Sequence, residues 1–146
     1  MAYYGKSKNN YAESNMETLV KNDVFSNMPL NDYLHLYPKS SKNYRENIVD
    51  FLSLKKEDVA KATGLSVASI RYDHRANKEL DERLSEWAVL FNLVAEHFSA
   101  DREKAAMWFR TPNPLLGGTI TPRDMIRLGR SRKLYKFIIQ ARSGNV

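Results

Sequence analysis

Apolar residues recur at helical spacing along the greater part of this chain. Tyr44, Ile48, Phe51 and Leu52 fall at i, i+4, i+7 and i+8 and predict a helix over residues 42–53. A second helix is expected at Lys56–Thr63, with Val59, Ala60 and Thr63 on one side and Gly64 free to take the open backbone of a helix exit. Ser66 then reads as the N-cap of a helix over residues 67–75. The clearest pattern follows, because Leu80, Leu84, Trp87, Ala88, Phe91, Val94, Ala95 and Phe98 make one continuous apolar stripe.

Beyond that stripe, Ser99 is expected to cap a short helix with Asp101 and Glu103 in its first turn and Ala105, Ala106, Trp108 and Phe109 inside. Thr111, Pro112, Asn113 and Pro114 stop it, and Leu115 to Gly118 make a compact turn. Thr121 as N-cap, Pro122 at the first helical position and Asp124 three residues on start another helix, whose Met125, Ile126 and Leu128 face inward. A last amphipathic segment holds Leu134, Phe137, Ile138 and Ala141. Alternating strand segments and internal repeats are absent from the pattern, so the expected fold class is all-α.

Residues 1–43 read differently. Asn, Ser, Tyr and Lys dominate, interrupted by short apolar groups, and this stretch is taken as a poorly structured N-terminal extension with local helix possible over residues 13–20 and 30–36. The remainder divides into a helical domain at 44–98 and a small helical domain at 99–146.

Composition narrows the function. The chain has 146 residues and no cysteine, which removes disulfides, thiolate metal sites and cysteine nucleophiles. It also lacks a phosphate-cradling glycine loop, and His35, His74 and His97 have no ligand spacing, so an enzyme is not expected, nor is a cofactor or metal. With no apolar run long enough for a signal peptide or a membrane span, a soluble cytoplasmic protein is expected. The formal charge of +6 suits an acidic partner, and it is concentrated at the end: residues 99–146 carry ten Lys and Arg against three Asp and Glu.

The pairing of residues 56–63 with 67–75 across Gly64 has the spacing of a helix-turn-helix, with Val59, Leu65 and Ile70 knitting the two helices together. Its exposed face would carry Ser66, Ala68, Ser69, Arg71, Tyr72 and Arg75 as DNA contacts: arginines for guanine edges or phosphates, serines for phosphate oxygens, and Tyr72 for either or for stacking. Asp73 departs from the pattern by placing a negative charge where a third packing residue is usual.

The run from Ala106 to Gly118, AMWFRTPNPLLGG, followed by Thr121, Pro122, Arg123, Asp124 and Met125, closely resembles the C-terminal domain of the Xre/MbcA/ParS antitoxin family. The long helix and the segment before it are similar to the Xre-like half of such antitoxins, so the resemblance covers residues 44–146. It implies a repressor of its own operon that binds double-stranded operator DNA and occludes a RES-domain, NAD-consuming toxin through its C-terminal region. A homodimer is expected because helix-turn-helix proteins read two half-sites and the Leu80 to Phe98 stripe is broad enough for both core and interface. The basic residues Arg127, Arg130, Arg132, Lys133 and Lys136 are then the candidate toxin contacts, although by charge alone they suit an acidic toxin rim, a cofactor phosphate site or DNA. The alternative is a stand-alone transcription regulator, since Leu65 to Tyr72 also resembles the opening of MerR-type recognition helices.

Overall fold

The computed structural model describes residues 24–144, all helix, turn and loop with no strand among them. The helix considered for residues 13–20 lies outside the described residues. The elements are α1 (Tyr44–Phe51), α2 (Lys56–Thr63), α3 (Lys78–His97), α4 (Arg102–Arg110), α5 (Pro122–Arg127) and α6 (Ser131–Arg142). Single 3₁₀ turns at Val67–Ser69 and Pro114–Leu116 punctuate the loops.

Helix α3 is the axis of the molecule. Its 20 residues span about 30 Å at 1.5 Å each, and every residue from Glu86 to Ala95 is buried. The stripe read from the sequence is therefore only one side of a helix that is covered nearly all round. α1, α2, α4 and α6 all pack on it. Phe91 meets Phe51 at a centroid distance of 4.9 Å and Phe109 at 5.1 Å, joining α1, α3 and α4 in one aromatic cluster. One apolar core thus runs from Val24 to Ile138, each large buried side chain contributing about 1.5–3 kcal/mol.

Residues 24–43 use polar groups to dock on α3. Asp32 accepts the Leu36 and Tyr37 backbone N–H groups at 2.8 and 2.7 Å and the Asn92 amide at 2.8 Å. Asn92, wholly buried, returns its oxygen to the Leu34 N–H at 3.1 Å. This satisfies a buried amide in the middle of α3 and carries Val24, Leu34 and Leu36 into the core. Asp32 titrates below the usual carboxylate value: burial, the largest influence, raises it, but hydrogen bonds from Ser40, Leu36, Tyr37 and Asn92 together outweigh burial. The stretch read as an extension is thus part of the core structure over residues 24–43, helical at 24–26 and otherwise in loops and turns, without the helix considered for residues 30–36.

Three local readings change. The helix expected over 67–75 is only the turn Val67–Ser69, and the chain then runs without helix to Asn77. Asp101, not Ser99, caps α4, accepting the Lys104 N–H at 3.0 Å. Leu128 is 46% exposed, and on α6 Tyr135 is buried beside Leu134 and Ile138 while Ala141 is exposed.

The C-terminal half is fastened to α1 and α2 by arginines. Arg123 donates Nε and Nη2 to the carbonyls of Leu52 and Ser53 at 2.7 and 3.1 Å, closing the open end of α1. Arg127 reaches Asp58 of α2 at 3.0 Å. Gly129, at φ +74°, lets the chain turn from α5 into α6 where an added Cβ would stand 3.1 Å from the Ala62 carbonyl oxygen.

Candidate interaction surfaces

Two surfaces carry the residues singled out in the sequence. The first follows α2, which ends as expected at Gly64, left-handed at φ +78°. Ser66 does not cap a helix; its hydroxyl lies 2.8 Å from that of Ser69. Ala68, Ser69 and Arg71 are exposed, whereas Ile70 is driven into the core. Arg75 is exposed but folded back on Asp73, which accepts its backbone N–H at 2.9 Å and its guanidinium at 3.2 Å. These contacts hold the Asp73 carboxyl below its usual range, the Arg75 backbone bond first and its side chain second.

Tyr72 stands apart from the other five. Its ring packs against the core, and its hydroxyl is buried without a hydrogen-bond partner. Burial, with the Asp50 charge adding to it, pushes this hydroxyl up to about 12. The geometry brings Ser66, Ala68, Ser69, Arg71 and Arg75 onto one exposed loop but does not present them on a continuous helix, and it turns Tyr72 inward.

The second surface is built by α5 and α6. Thr121 and Asp124 form a reciprocal capping box: Thr121 Oγ1 accepts the Asp124 N–H at 2.9 Å, and Asp124 Oδ2 accepts the Thr121 N–H at 3.1 Å. Backbone donation from Thr121 is the main reason that Asp124 titrates below the usual carboxylate value. The preceding turn is held by its own groups, since Asn113 accepts the Leu115 N–H on its side chain at 2.9 Å and the Gly118 N–H on its carbonyl at 3.0 Å. Its glycines occupy φ of +106° and +84°, which only glycine takes readily. The Asn113 to Gly118 segment is thus a structural turn that sets the start of α5.

The five basic residues of this half divide. Arg127 binds Asp58 and, at 3.4 Å, Asp124. Arg132 leans toward Glu86, a buried carboxylate of α3 that also pairs with Arg83 at 2.9 Å. The side chains of Arg130, Lys133 and Lys136 are exposed and make no hydrogen bond or ion pair among the described residues. These three leave a cationic ridge along the N-terminal half of α6. Sequence reading did not find the Arg83, Glu86 and Arg132 cluster. Glu86 lies off the apolar stripe, on the side of α3 that the pattern leaves polar, so its burial and its need for cationic partners carried no signal in the sequence.

Among the described residues no cluster of three or more His, Asp or Glu is placed to hold a metal ion, and no helix is long and apolar enough to cross a membrane. Compared with protein-family models, with characterised proteins and with solved structures, the chain matches none.

Proposed function

We propose that this protein is an antitoxin that binds and occludes a RES-type, NAD-consuming toxin, with α5 and α6 as the docking face. The observation that carries the reading is the ridge of Arg130, Lys133 and Lys136, three unpaired cations on a helix whose opposite side is anchored in the core by Leu134, Tyr135 and Ile138. Such a ridge offers charge to an acidic partner rim at no cost in internal ion pairs. The likeness of residues 106–125 to the antitoxin family supplies the partner class. Arg127 and Arg132 are left out of the docking set because their charges are engaged inside the protein.

Repression of its own operon is the second part of the reading, and dimerisation accompanies it. Operator contact falls to the exposed loop with Ser66, Ser69, Arg71 and Arg75, which follows α2 directly. A stand-alone regulator would use the same loop without a toxin.

Co-expression with a RES-domain toxin tests the main reading. The wild-type chain should co-purify with the toxin and restore the cellular NAD pool, and Glu at Arg130, Lys133 and Lys136 together should abolish both while leaving circular dichroism unchanged. Full neutralisation by the triple variant, or no complex with the wild-type chain, overturns it. Gel shifts of the same variant on the upstream DNA separate the regulator, because loss of DNA binding with intact neutralisation assigns the ridge to DNA.

A further inference from the structure

A cavity of about 290 Å³ lies where the end of α2, the first half of α3 and the start of α6 meet. Ala62 and Trp87 form its apolar side, and Gly129 and Ser131 border the chain entering α6. Its charged lining is Arg83, Arg130, Arg132 and Lys133 against one acid, Glu86. Four cations around one carboxylate leave a positive excess of three charges, in a concavity where low-dielectric walls strengthen it.

The internal pairing of this cluster is incomplete. Glu86 is 2% exposed and holds Arg83 at 2.9 Å. Arg132 approaches the other Glu86 oxygen only to 3.7 Å, and its Nε and Nη2 are buried with no hydrogen-bond partner among the described residues. That edge is the two-pronged face with which guanidinium groups bind carboxylate and phosphate. Arg45 fills its own with Asp81 at 2.6 and 3.0 Å, and Arg123 fills its own with two carbonyls. Arg132 alone among these three has the fork and no acceptor. Turning it into the cavity breaks no hydrogen bond and gives up only the long ion pair to Glu86.

We infer that this cavity binds a small molecule bearing a phosphate or pyrophosphate group, held by Arg132 and Arg83 with Arg130 and Lys133 at the rim. The excess of three positive charges matches a multiply charged phosphate better than a single carboxylate. The volume sits near the lower end of small-molecule sites, about 300 Å³, and has room beyond one phosphate. The uncapped first turn of α6, whose N-cap Arg130 gives no side-chain acceptor, adds backbone donors on the same side. The inference concerns the chain by itself and stands independently of toxin binding.

Titration of the full chain with pyrophosphate, ADP and inorganic phosphate, followed by calorimetry and by amide and arginine Nε–H NMR signals, tests it. Pyrophosphate or ADP should bind saturably at millimolar concentration or below and shift Gly129, Ser131, Lys133 and the Arg132 Nε–H. ADP binding more tightly than pyrophosphate assigns the apolar side to the rest of a nucleotide; the reverse order assigns the site to the phosphates alone, and both support the pocket. Arg132→Gln should weaken binding about tenfold, the loss expected for one charged two-pronged contact. Lys104→Gln, a cation on α4 outside the cavity, should leave it unchanged. Absence of saturable binding, shifts confined to residues outside the cavity, or equal losses from Lys104→Gln and Arg132→Gln overturn the assignment. The shifts are read on the wild-type protein, so the outcome does not depend on the variant folding.

Discussion

Residues 66–75 and residues 121–127 begin alike in sequence, each with a hydroxyl residue ahead of a mixed apolar and charged run, yet one forms a helix and the other a single turn. The α5 segment buries Pro122, Met125 and Ile126 at positions i, i+3 and i+4, and its cap is reciprocal. The 66–75 segment buries only Ile70, leaves Val67 43% exposed, and directs the Ser66 hydroxyl to Ser69. Its Val, Ile, Ser, Tyr and Asp are weak helix formers, and Asp73 makes a local turn with Arg75 that competes with the helical backbone. A capping residue places a helix end; a buried face at helical spacing decides whether a short helix exists at all.

Truncating the anchor of each segment sharpens that contrast most. Ile126→Ala should cost about 2–5 kcal/mol in urea denaturation, because α5 is fixed on both sides by Arg123 and Arg127 and cannot collapse into the cavity left behind. Ile70→Ala should fall near the low end, about 2 kcal/mol, since its loop has no helix to hold it open and can settle inward. Hydrogen exchange should rise only around residues 66–76 in the second variant. Equal losses, or protection lost across the molecule in both, would mean that residues 66–75 are as rigid as α5.

Acid should act on the two segments unequally. Asp124 is held below 3.8, its ordinary value, chiefly by the Thr121 backbone bond, with burial opposing and the Thr121 hydroxyl and Arg127 adding to the lowering. A carboxyl whose folded value is depressed contributes stability that is complete above the unfolded value and disappears as pH falls through the folded one. Stability should therefore decline as pH drops below about 3.8, and Asp124→Asn should flatten that decline. Asp73 is lowered too, but it is fully exposed and solvent screens its contacts. Asp73→Asn should leave the acid limb nearly unchanged, and a larger effect from it than from Asp124→Asn would reverse the ranking.

Much of this molecule is legible in the sequence where a pattern is both local and repeated. The α3 stripe, the Gly64 exit and the Thr121, Pro122 and Asp124 start of α5 follow from spacing and backbone preference alone. The arginine fastenings were not legible, because Arg123 and Arg127 meet partners some 70 residues away. For the same reason Arg132 read as a free surface cation until Glu86 was placed beneath it. The docking of residues 24–43 escaped periodicity because Val24, Leu34 and Leu36 are buried from irregular backbone, positioned by polar contacts such as Asp32 and Asn92. Long-range polar contacts carry no period, so hydrophobic patterning cannot reveal them.

The smallest expected effect is the most discriminating for the loop. The sequence pattern makes Tyr72 a DNA contact on the exposed face of a helix, but its ring lies against the core and its buried hydroxyl has no hydrogen-bond partner among the described residues. A buried, unpaired hydroxyl has given up water without replacing it, so removing the oxygen while keeping the ring should relieve part of that cost. Tyr72→Phe should therefore stabilise the protein by on the order of 0.5 kcal/mol, measurable as a raised denaturation midpoint. Operator affinity, if the exposed Arg71 and Arg75 make the contact, should stay at the wild-type level. By contrast, Arg71→Ala should weaken it, a guanidinium contact to a base being worth about 1–3 kcal/mol. A destabilised Tyr72→Phe would show that the hydroxyl does have a partner in solution. A well-folded Tyr72→Phe that no longer binds DNA would show that the ring swings outward to meet it, and with it the loop would have to rebuild the helix that its free form lacks.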